Sequence, residues 1–266
     1  MREQDEVSRA VPARGPVIVV GSAQSGVAVL RRALSAGGSV TWIDAPALVH
    51  LGHQIMRTWA MAEGRPNGAS ALARTAASSL LDVLIAGRLA ADGRGTWSAT
   101  TVPEPGDGLE FFAGIVPAAR FVCLHRRCDA VVRSVLSAHP WGIAAGIGFD
   151  KFVMRHPLSP AAAVAEYWAA HTAALAGFEA AHPDRCLRVR YEDMLADPAG
   201  TSSLMREFTG AHVDLPVNSA GSQTADFMPP VPELVPAELM SRVNDLMTGL
   251  GYPALELAPA AWRPAW

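Results

Sequence analysis

The chain alternates short, wholly apolar runs with longer stretches in which apolar residues recur every three or four positions. The first run, PVIVV at 16–20, is β-branched and uninterrupted, the pattern of a parallel strand buried on both faces. It leads into GSAQSG at 21–26 and then VAVLRRALSA, whose period predicts a helix stopped by Gly37 and Gly38. VTWI at 40–43 predicts a second strand that ends at Asp44, and an Ala- and Leu-rich helical region follows over about 47–91. Turn chemistry in RPNG breaks that region near 64–68. The stretch 96–108, rich in Thr, Pro and Gly, reads as a loop and leads to a short helix. ARFVCL at 119–124 predicts a buried strand, and DAVVRSVLSA predicts a helix with Asp129 in its first turn. Residues 161–181 form the longest clean helical pattern, and RCLRVR at 185–190 predicts the strand after it. Strands alternating with helices imply a single α/β domain with a mostly parallel sheet flanked by helices. The domain is expected over 16–252, with a flexible arm at 1–15 and a Pro-rich surface tail at 253–266.

Composition narrows the function. Half of the 266 residues are apolar and 18% are charged, enough for a packed core. A net charge of −3 gives no electrostatic case for a nucleic-acid or membrane-surface partner. Lys151 is the sole lysine among 22 basic residues, so an essential cation must be an arginine or a histidine. Three cysteines without a CxxC pair argue against a disulfide framework and fit a reducing compartment. No apolar stretch reaches the ~18 residues of a membrane span, and the charged N-terminus lacks a signal-peptide core. These features predict a soluble, cytoplasmic protein.

The candidate chemistry lies at the first strand–loop–helix junction. Such a loop aims backbone N–H groups and a positive helix end at one point, which is an anion site. Gly21 and Gly26 have the separation of a Walker A loop, but Val27 and Ala28 replace its Lys and Ser/Thr. The G-x-G-x-x-G and G-x-S-x-G patterns are absent as well. A plain strand-to-helix turn remains open on this loop alone.

Three segments together, PVIVVGSAQSGVAVLRRALSA, ARFVCLHRRCDAVVRSVLSA and RCLRVRYEDMLADP, resemble the sulfotransferases that use 3′-phosphoadenosine 5′-phosphosulfate (PAPS). The resemblance covers about 16–252, with EYWAAH around Trp168 and the ending NDLMTGLGY included. It implies a P-loop-like sulfotransferase fold in which Ser22, Gln24, Ser25, Gly26, Val27 and Ala28 cradle the 5′-phosphosulfate. By the same resemblance, Arg126 and Ser134, eight positions apart, hold the 3′-phosphate, and Tyr191 of the YED segment approaches the adenosine. Arg126 follows an apolar strand and so belongs at the carboxyl edge of the sheet, where open α/β sheets bind ligands. The implied activity is sulfuryl transfer from PAPS to a hydroxyl or amine of a small-molecule acceptor, with no metal.

The departures from this pattern fall where the chemistry should be. Gln24 stands at the family's Arg/Lys position of the loop, and Ala23, Val27 and Ala28 replace its Pro and hydroxyl residues. Thr100, Thr101 and Val102 stand where many members carry Lys-Thr-Pro or Lys-Thr-His, and 219–232 holds no Arg or Lys. Losing one preorganised donor to a developing charge typically costs ~10²–10³ in rate. For the general base, Asp44 is the first candidate, His50 the second and Glu104 the third; a helix cap or surface role stays open for each. The catalytic candidates are thus Asp44, Gln24 and His50. His50 and His53 lack a third metal ligand in the sequence, and Cys123, His125 and Cys128 read as packing residues. Two alternatives stand beside sulfuryl transfer: another transformation of an organic substrate on this fold (cyclisation, elimination or acyl transfer), or a pseudoenzyme that binds a nucleotide or a protein.

Overall fold

The computed structural model describes residues 15–36, 38, 40–43, 45–64, 71–93, 96–101, 108–138, 149–215 and 229–256. Among them are five strands, β1 (Val17–Gly21), β2 (Val40–Ile43), β3 (Thr96–Thr101), β4 (Arg120–His125) and β5 (Cys186–Arg190). The helices that frame the sheet are α1 (Val27–Ala36), α2 (Ala45–Ala62), α3 (Ala71–Asp92), α4 (Gly108–Ile115), α5 (Cys128–Ala138), α6 (Asp150–Arg155) and α7 (Pro160–Ala181). After β5 come α8 (Tyr191–Ala196), α9 (Pro198–Thr209), α10 (Val231–Leu234) and α11 (Ala237–Gly249).

All five strands run parallel in the order β2-β3-β1-β4-β5. The fold is therefore the single α/β domain with a parallel sheet that the alternation of patterns predicts. From β1 the chain crosses outward to β2, returns to β3, and then passes over β1 to β4. That reversal places a crevice at the carboxyl ends of β1, β3 and β4, where ligands of open α/β sheets bind.

One expectation is corrected. The segment expected as a loop over 96–108 begins with β3, which lies inside the sheet between β2 and β1. TWSATT has one large apolar residue, Trp97, and its threonines suit a strand as well as a loop. Trp97, Ser98 and Ala99 are buried, and the Ser98 hydroxyl is satisfied by donating to the Val17 carbonyl at 2.5 Å.

The sheet is covered on both faces, which explains the uninterrupted apolar runs. Ile18, Val20, Phe121 and Cys123 pack on one side with Leu81, Ile85 and Phe178. Val17, Val19, Val122 and Leu124 pack on the other with Leu30, Leu34 and Met205. A third cluster joins α5, α7 and α11 around Trp168, Val132 and Val243. At roughly 1.5–3 kcal/mol for each large apolar side chain buried, these clusters dominate the folding energy. Helix α7 starts on a built stop-and-go signal: Ser159 accepts from Ala162 N–H at 3.2 Å, and Pro160 opens the first turn. No helix among the described residues is long and apolar enough to cross a membrane.

Candidate functional site

The loop between β1 and α1 is held in a shape that opens its amides outward. Gln24 takes a left-handed backbone (φ 61°) and Gly26 a φ of 102° that only glycine adopts without strain. Ser25 is fully buried, and its hydroxyl and N–H both donate to the Ser22 carbonyl, at 2.7 and 3.2 Å, closing the turn. The Ala23 N–H donates to the Tyr167 hydroxyl at 3.1 Å, so α7 braces the loop from below. The N–H groups of Gln24, Gly26, Val27 and Ala28 donate to no group among the described residues. They stand at the N-terminus of α1 as an open set of donors.

A cavity of about 880 Å³ opens over this loop. Its wall includes Ser22, Gln24, Gly26, Val27 and Ala28 from the first junction, Thr100 and Thr101 at the end of β3, and Arg126, Ser134 and Tyr191. Residues more than a hundred positions apart thus meet at one crevice. Of the cofactor-binding candidates, all but Ser25 line the cavity; Ser25 instead shapes the loop from inside.

Arg126 follows β4 and reaches back across the crevice. Its Nη1 donates to the Gln24 carbonyl at 2.7 Å, and its guanidinium lies 4.4 Å from the centre of the Tyr191 ring. Its Nε–H is buried and without a partner among the described residues. The Arg126 backbone is fixed too, because the Trp168 indole N–H donates to its carbonyl at 2.9 Å. Ser134, on α5, donates to the Gln24 side-chain oxygen at 3.2 Å. Gln24 is therefore tied to Arg126 through its backbone and to Ser134 through its side chain. Tyr191 opens α8 and its ring packs against Gly26, so that a Cβ at that position would clash with the ring carbons Cδ2 and Cε2.

Below the crevice a buried carboxylate fixes the end of β4. The His125 Nε2 lies 2.8 Å from Glu179 Oε1, and the other carboxylate oxygen accepts from Arg188 Nε at 2.8 Å. Burial pushes the Glu179 pKa up, but hydrogen bonds and charge from His125 and Arg188 outweigh it and hold the carboxyl below its usual range. The cysteines beside this group are inert. A hydrogen bond with Cys186, then burial, raises the Cys123 pKa; burial, then the Asp129 charge, raises that of Cys128. At the back of the YED segment, Glu192 accepts from Arg127 N–H at 3.1 Å and from the Tyr252 hydroxyl at 2.8 Å.

Asp44 and Glu104 lie outside the described residues, as do the side chains of His50 and His53 on α2. Among the described residues no group of His, Cys, Asp and Glu is arranged to hold a metal ion. Sequence reasoning missed Arg31 as a cavity residue and Tyr167 as the brace of the loop. Only the Tyr167-Trp168 pair, two polar-tipped aromatics on an Ala-rich helix, carried a signal for either.

The comparisons with known proteins agree with this geometry. A model of the family described as "Sulfotransferase family" matches residues 16–214. The fold is similar to the sulfotransferase domain from the curacin biosynthetic pathway, at TM-score 0.56 and 16% identity over 92% of this chain and 99% of that one. It is also similar to the sulfotransferase domain of the Synechococcus PCC 7002 olefin synthase, at TM-score 0.52 and 17% identity over 91% and 97% of the two chains. A sulfotransferase from Alicyclobacillus acidocaldarius matches at TM-score 0.52 and 14% identity over 90% and 97%. No curated protein sequence matches the chain. With three quarters of its length covered by the family model and the loop, Arg126, Ser134 and Tyr191 gathered at one crevice, the chain belongs to the sulfotransferase family.

Proposed function

We propose that this protein transfers the sulfuryl group of PAPS to a hydroxyl or amine of a small organic acceptor. The observation that carries the reading is the set of open amides at Gln24, Gly26, Val27 and Ala28, facing the same cavity as the buried, unpartnered Arg126 Nε–H. These groups fit an anionic nucleotide: a cradle of N–H donors, a guanidinium with a donor to spare, and a glycine against which an aromatic ring lies. The loop amides would hold the 5′-phosphosulfate, Arg126 and Ser134 the 3′-phosphate, and Tyr191 the adenosine. PAPS supplies an activated sulfuryl group whose loss leaves negative charge on the departing phosphate. The chain's part is to orient that group, neutralise the charge and take a proton from the acceptor. Asp44, next in sequence after Ile43, is proposed as the base, with His50 on α2 as the alternative. Similarity to domains from the curacin pathway and from an olefin synthase supports an organic acceptor. The protein is proposed to work in the cytoplasm without a metal.

A second reading rests on Gln24. Its carbonyl and side chain already engage Arg126 and Ser134, and apolar Val27 and Ala28 replace the hydroxyls of the family pattern. A site so lined suits another transformation of an organic substrate. The substitution Gln24→Arg separates the two when PAPS turnover is followed over a panel of small hydroxyl and amine acceptors. The sulfuryl-transfer reading expects turnover to rise by ~10-fold or more as a charged donor is restored. Unchanged or absent turnover in both proteins favours the second reading.

A further inference from the structure

We infer that Arg31 is the cation that meets the anionic group over the first loop, from the helix side rather than from the loop itself. The inference rests on the reading of the cavity as a nucleotide site. Among the described residues that line the cavity, Arg31 and Arg126 are the only charged side chains. They come from different elements: Arg126 from the β4–α5 junction, and Arg31 from α1, one turn beyond Val27.

Arg31 is held ready by its surroundings. Its guanidinium lies 5.4 Å from the centre of the Trp42 ring, on β2 next to β3, whose end contributes Thr100 and Thr101 to the cavity. An aromatic face under a guanidinium fixes its plane and leaves the N–H edges free to bind oxygens. Arg31 has no carboxylate partner among the described residues. Most arginines near structural junctions of this chain differ: Arg127 pairs with Asp129, Arg155 with Glu166, Arg188 with Glu179 and Arg190 with Asp193. A stacked, unpaired arginine at a cavity wall is arranged for an anion from outside.

The placement answers the gap in the loop. Position 24 offers only an amide, already turned to Ser134, and the end of β3 offers only hydroxyls. A ligand group with two negative charges above Gly26–Ala28 would have backbone N–H donors beneath it, and Arg31 is the one charged lining side chain carried by the helix that those donors begin. Arg126 already spends one N–H on the Gln24 carbonyl and lies against the Tyr191 ring.

Titration calorimetry with two nucleotides separates the two arginines: adenosine 3′,5′-bisphosphate (PAP), which carries both phosphates, and AMP, which carries only the 5′-phosphate. Arg31→Ala is expected to weaken both by the same factor, ~10-fold. Arg31→Lys should fall in between, keeping the charge and losing the flat stack. Trp42→Leu should weaken both nucleotides in parallel with Arg31→Ala, and Arg126→Ala should weaken PAP far more than AMP. Wild-type binding that Arg31→Ala leaves intact, or an Arg31 effect confined to PAP, would overturn the assignment while leaving the nucleotide site standing. A wild-type protein that binds neither nucleotide would overturn the nucleotide reading, and this assignment with it.

Discussion

Gly26 sets the scale at which the site is built. Its φ of 102° and the Tyr191 ring packed against it leave no room for a side chain. Gly26→Ala is expected to displace Tyr191 and, through it, the stacked Arg126, lowering PAP affinity at least ~10-fold; calorimetry on the folded variant checks this. Gln24 beside it uses a left-handed backbone that its side chain tolerates, and that conformation turns its carbonyl to Arg126. Which residues stand in the loop was legible in the sequence; where their side chains go was not. The contact of Gln24 with Ser134 spans 110 positions, and the role of Arg31 depends on the cavity reaching one turn down α1. A periodic pattern tells which helix residues are buried, but does not separate the outward ones that face a crevice from those that face solvent.

Among elements, β4 is the one on which the site hangs. It delivers Arg126 at its end, and His125 just before it is tied by Glu179 on α7 to Arg188 on β5. Glu179→Gln removes a buried carboxylate that His125 and Arg188 share and should destabilise the fold by roughly 1.5–3 kcal/mol, seen as a lower Tm. Because the folded state holds the Glu179 carboxyl below its usual range, its contribution is complete above that range and is lost as pH falls through it. Thermal melts from neutral to acid pH should therefore converge for the two proteins, the variant losing less stability on acidification. Parallel melts of constant separation would contradict this. The apolar runs that became β1 and β4 were readable because buried parallel strands favour β-branched and aromatic residues. β3 was not, because TWSATT is mostly Thr, Ser and Ala, residues that loops share.

For the whole molecule, alternation of strands and helices implies the parallel sheet, and the observed order β2-β3-β1-β4-β5 brings the ends of β1, β3 and β4 to one edge. The sequence motifs named the fold because their spacing matches three junctions at that edge: the loop after β1, the Arg126–Ser134 segment and Tyr191. The C-terminal helix closes the back of the site, since Tyr252 after α11 donates to Glu192, which also receives the Arg127 N–H. The acceptor side was less legible, because Asp44 and Glu104 sit between elements, where no periodicity fixes a side chain. The central claim is that the crevice binds the nucleotide of a sulfuryl donor. Calorimetric titration of the wild-type protein and of Arg126→Ala with PAP tests it most directly. The account predicts micromolar binding that Arg126→Ala weakens ~10-fold or more, with an affinity that falls as salt rises. Absence of PAP binding to the wild-type protein, or binding that Arg126→Ala leaves unchanged, would contradict it.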